Sequence, residues 1–194
     1  VFTMAISAYT TPALLGGKRV LVMATYIDQQ VRTVLDYALG ATVAVILMLV
    51  GAVMVNVAVL QGNSSVMFTS YPPLQASPWF YLGLILFAVG ALIGCAVFFG
   101  TLVIAKDEKT YEGSVPLVTF GAITAAVIAV FTLASGAIIL IPTFLWSIGI
   151  ISGVDPLMYK LVWWGMGHSS QQINVSAHVS VWYAIGAMVL GAKP

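Results

Sequence analysis

The sequence predicts an all-α, polytopic integral membrane protein with four or five transmembrane helices. Hydrophobic residues make up 61% of the 194 residues and charged residues only 7%, whereas a soluble domain is ordinarily about 25% charged. The apolar residues also form long segments, and about 20 such residues in a helix cross the ~30 Å hydrocarbon layer of a bilayer. Composition and segment length therefore both favour a bundle of membrane-spanning helices.

The predicted spans follow one another along the chain. Val1–Leu15 is expected to be the tail of a first span. The chain opens on Val-Phe-Thr, without Met or a basic flank, so the chain is predicted to be a fragment and not to begin with a signal peptide. Four further spans are predicted at Gly40–Leu60, Trp79–Ala105, Pro116–Ile141 and Leu157–Gly191. Gly90 and Gly94 form a pair of small residues suited to close helix packing, with Gly83 and Gly100 on the same span.

Charge placement predicts the orientation of these spans. If the loops alternate between the two sides, one side carries Lys18, Arg19, Arg32, Lys106, Lys109 and Lys193. The loops Gln61–Pro78 and Pro142–Pro156, on the other side, contain no Lys or Arg. Positively charged loops stay cytoplasmic, so the basic side is predicted to face the cytoplasm. A net charge of +1 gives no basis for nucleic-acid binding, which needs a clustered basic face.

The last predicted span contains a polar cluster that is unusual for a membrane helix. With 3.6 residues per turn, one face is expected to carry His168, Gln172, Val175, Val179 and Tyr183, flanked by Gln171, Ser176 and His178. Polar and ionisable groups are costly inside a bilayer, so such a cluster indicates a functional site by default. Two interpretations of His168 stay open at this point: a hydrogen bond to a neighbouring helix, or ligation of a metal ion.

A metal ion at His168 would need its other ligands from elsewhere in the protein. His168 and His178 are ten residues apart, which is about 15 Å along a continuous helix. The two imidazoles therefore cannot share one ion.

From about Gly62 to Pro194 the sequence resembles subunit I of the heme-copper oxidase superfamily, the catalytic subunit of cytochrome c oxidases, quinol oxidases and related nitric oxide reductases. The resemblance rests on Tyr71-Pro72-Pro73-Leu74, Trp79-Phe80-Tyr81-Leu82-Gly83, Asp155-Pro156-Leu157, Trp163-Trp164 and Gly167-His168. In that family the histidine of the Gly-His pair binds copper (or non-heme iron) opposite a heme. The resemblance thus implies a metal-ligating role for His168.

The resemblance leaves the reaction open between reduction of oxygen and reduction of nitric oxide. Many oxidases of the family have a tyrosine four residues after the histidine, linked covalently to it, and here Gln172 occupies that position. The nitric oxide reductases also lack this tyrosine. The resemblance implies that Gln172 and Tyr183 lie on the route of proton uptake.

The same resemblance implies the cofactors and partners of a complete subunit. It would hold heme and copper (or non-heme iron), but most of the family's ligating histidines are absent from this chain, which alone is predicted to be inactive. Electrons would come from a cytochrome c or a quinol. The expected surroundings are membrane lipid and other oxidase subunits, in the cytoplasmic (inner) membrane of a prokaryote.

Residues 1 to about 50 resemble a different family, the C-terminal part of an ABC transporter permease of the polyamine-import type. The resemblance rests on Thr10-Thr11-Pro12-Ala13-Leu14-Leu15-Gly16-Gly17 and on Asp28-Gln29-Gln30. The chain is therefore predicted to have three parts: a permease-like segment at 1–50, a junction within the apolar residues 51–61, and an oxidase-like bundle at 62–194. A permease subunit for a small solute such as a polyamine is the alternative function.

Overall fold

The computed structural model describes residues 37–64, 66, 69–111 and 113–191. It divides the chain into two compact units, Val1–Leu39 and Gly40–Pro194. Of the first unit, residues 37–39 are described. The predicted first span and the permease-like segment around Gly16-Gly17 therefore lie outside the described residues.

Four long helices make up the described part of the chain. They are α1 (Tyr37–Leu60), α2 (Pro78–Asp107), α3 (Leu117–Ser147) and α4 (Pro156–Leu190). All four are long and apolar enough to cross a membrane, which confirms the predicted helical membrane fold and its four complete spans. The protein is a multi-pass membrane protein.

The starts of the helices follow from local sequence. Both α2 and α4 begin at a proline, whose fixed φ suits the first helical turn, where no amide donor is needed. The Asp155 carboxylate caps α4 by accepting hydrogen bonds from the backbone N–H groups of Leu157 (2.8 Å) and Met158 (3.2 Å). Ser77 precedes α2 without making a side-chain capping bond.

Pro142 does not end the third span, so the predicted boundary at Ile141 is wrong. Helix α3 continues through Pro142 to Ser147. Proline is tolerated in membrane helices because neighbouring groups and local adjustments can satisfy the freed carbonyl. The turn comes about two helical turns later, at Gly149, whose positive φ of 79° suits glycine.

Helices α1 and α2 pack antiparallel through small residues spaced seven apart. The buried residues of α1 are Ala44, Gly51 and Ala58. A Cβ atom added at Gly51 would lie 2.5 Å from the carbonyl oxygen of Gly83, and one added at Gly90 would lie 2.7 Å from that of Ala44. The two backbones are thus in contact, which glycine permits and larger residues do not.

Of the two glycines predicted to contact a neighbouring helix, Gly90 and Gly94, only Gly90 does so among the described residues. A Cβ atom added at Gly94 would meet no described atom within 4 Å. Gly83, seven residues before Gly90, takes its place in the contact. A seven-residue repeat keeps one seam facing an antiparallel neighbour, as in left-handed helix pairs, whereas the four-residue repeat belongs to right-handed crossings.

Helices α3 and α4 form the next interface, again with small residues where the backbones approach. Gly165 lies against Ser135, whose Oγ would be 2.9 Å from an added Cβ. Gly121 faces Ser180 in the same way further along the pair. These contacts fix which side of α4 faces the bundle, and so they also fix which side faces away from it.

Candidate functional site

The polar cluster lies on an unbroken stretch of α4. The helix runs from Pro156 to Leu190 without interruption, so His168 and His178 are separated by about 15 Å of helical rise. This confirms that the two imidazoles cannot ligate the same ion.

His168 projects from the side of α4 that faces away from α3. The residues of α4 that are buried are Tyr159, Trp163 and Ser180. His168 follows Tyr159 by nine residues, or about two and a half turns, which places it on the opposite side of the helix. Its imidazole is accordingly exposed among the described residues, so the helical face carrying it is open to other parts of a larger protein.

Two tryptophans and a glycine shape the surroundings of His168. The ring of Trp164, one turn earlier, lies 5.3 Å from the imidazole, with the two planes tilted by 43°. A Cβ atom added at Gly167 would lie 3.3 Å from both the Trp163 and Trp164 indoles. Glycine at this position therefore leaves room for both rings against the helix backbone.

A cluster of aromatic residues anchors the loop between α1 and α2 to the first two turns of α4. Tyr159 and Trp163 are stacked, with centroids 6.1 Å apart and planes at 9°. The ring of Tyr71 meets both edge-on, at 6.1 Å and 6.5 Å. The Tyr81 hydroxyl accepts a hydrogen bond from the buried backbone N–H of Ala76 at 3.0 Å. These contacts pack the loop against the first two turns of α4, which end five residues before His168.

The sequence motifs contain Tyr71 and Trp163, but they do not predict that the two side chains are in contact. None of these motifs contains Tyr159. The available signal was topological: the loop after α1 and the start of α4 lie on the same predicted side of the membrane, and each carries aromatic residues.

The residues predicted to accompany His168 lie along the same helix. Gln172 is one turn further on and exposed, and Tyr183 is about 22 Å away along the axis and also exposed. Their roles on a proton route stay predictions.

His168 fits a metal site as one ligand and not as a complete set. Within the described ranges, no group of three His, Cys, Asp or Glu side chains could hold a metal ion. An exposed imidazole on a rigid helix is a suitable single ligand for copper or iron. The described residues by themselves do not form a heme or copper site, and the remaining ligands would have to come from other chain segments.

Comparison with known proteins identifies the family. The family model for cytochrome c and quinol oxidase polypeptide I matches residues 2–194. The chain is 30% identical over 122 residues to cytochrome c oxidase subunit 1 of Thermus thermophilus, which covers 61% of this chain and 21% of that protein. A heme-copper terminal oxidase dimer solved by cryo-EM matches 72% of this chain with a TM-score of 0.66 and 25% identity. The chain spans about a fifth of the curated relative's length and 24% of the solved chain.

These comparisons bear on the two resemblances differently. The oxidase resemblance is confirmed. The permease resemblance of residues 1–50 gains no support, because the family match begins at residue 2 and runs through the suspected junction at 51–61. A permease function is therefore not favoured, and the three-part division of the chain stays a prediction.

Proposed function

The chain belongs to the cytochrome c and quinol oxidase polypeptide I family, and from that premise we propose that it is part of a membrane-bound oxidase subunit that reduces oxygen or nitric oxide. The electron donor would be a cytochrome c or a quinol, and the location the cytoplasmic membrane of a prokaryote. The relatives named above are a cytochrome c oxidase subunit and a heme-copper terminal oxidase, and both names support this class of reaction.

The single observation that carries the proposal is the placement of His168. A lone histidine in a membrane span is explained most simply by a hydrogen bond to a neighbouring helix, but His168 faces away from α3 and is exposed among the described residues. Its ring lies beside that of Trp164, on a helix whose first two turns pack against Tyr71. This arrangement suits a ligand that must present one nitrogen in a fixed direction.

In this proposal His168 would be one ligand of copper or non-heme iron, with the other ligands supplied by the rest of the full-length subunit. The metals, when bound, would pass electrons from the donor to oxygen or nitric oxide. Trp164 and Gly167 orient the imidazole. The outer aromatic residues keep α4 from rotating about its own axis, which would turn His168 away from the site.

Gln172 limits the chemistry that the chain itself can contribute. A glutamine side chain has no phenol, so it can neither form a covalent link to the histidine one turn earlier nor donate an electron and a proton as a tyrosine does. Any such donor in this protein must be another residue. Gln172 is instead suited to hydrogen-bond water or a proton carrier beside His168.

The test uses the full-length parent protein in native membranes. We expect a heme absorption spectrum together with consumption of oxygen or nitric oxide, followed with electrodes for each gas and with a reduced cytochrome c or quinol as donor. The two gases distinguish the two reactions. A preparation without heme that instead supports ATP-driven uptake of a polyamine would contradict the proposal and favour a permease.

A further inference from the structure

One edge of α4 carries a row of polar side chains that runs from His168 towards the predicted cytoplasmic end. The row consists of His168, Gln171, Asn174 and His178, all four of them exposed. Successive members are three or four residues apart, the spacing at which side chains on a helix are neighbours, with about 5–6 Å between Cβ atoms. The row is therefore a continuous path of polar groups about 15 Å long.

This row lies within the depth of the hydrocarbon layer. The exposed indoles of Trp164 and Trp182 lie near the two ends of the polar stretch, 18 residues or about 27 Å apart. That distance approximates the ~30 Å hydrocarbon thickness, and tryptophans of membrane helices concentrate at its two boundaries. His178 is four residues, about 6 Å, from Trp182, so it is the member of the row nearest the predicted cytoplasmic end.

The bundle does not use these side chains to hold helices together. In the part of the chain that the structure describes, Gln171, Asn174 and His178 make no side-chain hydrogen bond, whereas the neighbouring hydroxyls of Ser169 and Ser170 donate to carbonyls of their own helix. The row also faces away from α3. Polar groups at this depth face the interior of a bundle or a water-filled cavity, and they commonly mark a path for protons or ions.

His178 is the group in this row that can carry a proton without holding a metal. An imidazole changes charge between about pH 5 and 8 and has two nitrogens, one of which can accept a proton while the other releases one. Among the described residues, the helix packed against α4 is α3, which contains no ionisable side chain, and Tyr183 is the nearest ionisable residue on α4.

We propose that His178 is a proton relay between the cytoplasmic surface and the reaction site at His168. A proton from water at the inner boundary forms a bond to the unprotonated ring nitrogen of His178, and the N–H bond at the other nitrogen breaks to pass a proton towards Asn174. The amides of Asn174 and Gln171 do not themselves carry the proton but order the water that does. No oxidant or reductant is needed. The relay rests on the proposed oxidase function.

The test compares His178→Gln with His178→Glu in the full-length, cofactor-loaded parent. Glutamine keeps hydrogen bonding but does not titrate, whereas glutamate still binds and releases a proton. We expect His178→Gln to lower turnover by about 100-fold, within the range for loss of a positioned acid–base group, and His178→Glu to keep more than a tenth of it. In a single turnover followed with a pH-indicator dye, proton uptake should slow while the first electron still enters at the wild-type rate.

The control is Ser170→Ala on the same helix, whose hydroxyl is already bonded to the Gly167 carbonyl and which should turn over normally. Equal turnover of His178→Gln and wild type would overturn the relay and leave the oxidase proposal intact. An equal loss in both His178 variants, accompanied by loss of heme absorption, would also overturn the relay in favour of a structural role. A wild-type parent with no heme and no turnover would overturn both proposals.

Discussion

Replacing Gly90 by alanine tests the packing of α1 against α2. An added Cβ would lie 2.7 Å from the Ala44 carbonyl oxygen, 2.9 Å from Met48 Cγ and 3.0 Å from Leu47 Cβ. Ordinary van der Waals contact begins at 3.4 Å, so the helices would have to separate by roughly 0.7 Å. Because the nearest atom belongs to backbone, no side-chain rotation relieves the overlap.

Overpacking of this kind costs about 1–3 kcal/mol, while alanine gains about 0.5–1 kcal/mol over glycine within a helix. The expected net loss for Gly90→Ala is therefore about 0.5–2 kcal/mol in the free energy of unfolding. Gly94→Ala, one turn further along α2, meets no described atom within 4 Å. It is the matched control and should be neutral or slightly stabilising.

The assay is equilibrium unfolding of the purified chain in mixed detergent micelles with increasing dodecyl sulfate, followed by far-ultraviolet circular dichroism. Both variants are measured beside the wild type under identical conditions, since only differences between them are interpreted. Equal stability of the two variants would refute the inferred seven-residue packing seam. A larger loss at Gly94 than at Gly90 would show that the four-residue spacing predicted from the sequence is the correct one.

Two further pairs of variants test the outer ends of the helices by the same unfolding assay. Tyr81→Phe leaves the buried N–H of Ala76 without its acceptor and should lower the free energy of unfolding by about 1–3 kcal/mol. Its control, Tyr71→Phe, removes a buried hydroxyl that has no partner among the described residues and should leave the stability unchanged. Equal losses in the two variants would contradict the hydrogen bond. Asp155→Ala removes the cap of α4 and should lower the free energy of unfolding by about 1 kcal/mol. Ser77→Ala, at a position without a capping bond, should leave the stability unchanged. An Asp155→Ala protein as stable as the wild type would mean that the cap contributes nothing.

The sequence was sufficient to predict the four complete spans and their approximate limits. Bilayer thickness sets a minimum length for an apolar segment, and the segments that meet it are evident in this chain. The limit at Pro142 was missed because the rule that proline ends a helix holds for helices in water. Within a membrane span, proline is tolerated where neighbouring groups or local adjustments satisfy the freed carbonyl, and the helix continues.

Which glycines meet a partner helix depends on the crossing geometry, and spacing alone does not determine this. Gly83, Gly90 and Gly94 are all candidates by composition. The repeat of Ala44, Gly51 and Ala58 on α1 selects the two glycines that are seven residues apart. A comparison of both helices in the sequence would have revealed the common period.

At the candidate site, helical periodicity correctly predicted the face shared by His168 and Gln172, because a continuous α-helix has a fixed angular repeat. It could not reveal that Tyr71 packs on Tyr159 and Trp163, since this contact joins residues about 90 positions apart in the sequence. The metal-binding role of His168 came from resemblance to a family, and it stays a proposal.

The most direct test of that proposal is the metal content of the purified full-length parent with and without His168→Ala. We predict that the variant loses copper (or non-heme iron) and turnover while its heme absorption is largely retained, because His168 is the ligand of one metal and not of the hemes. Ser170→Ala, two residues away, should keep both metals. A His168→Ala protein with the wild-type metal content and turnover would contradict the assignment of this histidine as the ligand.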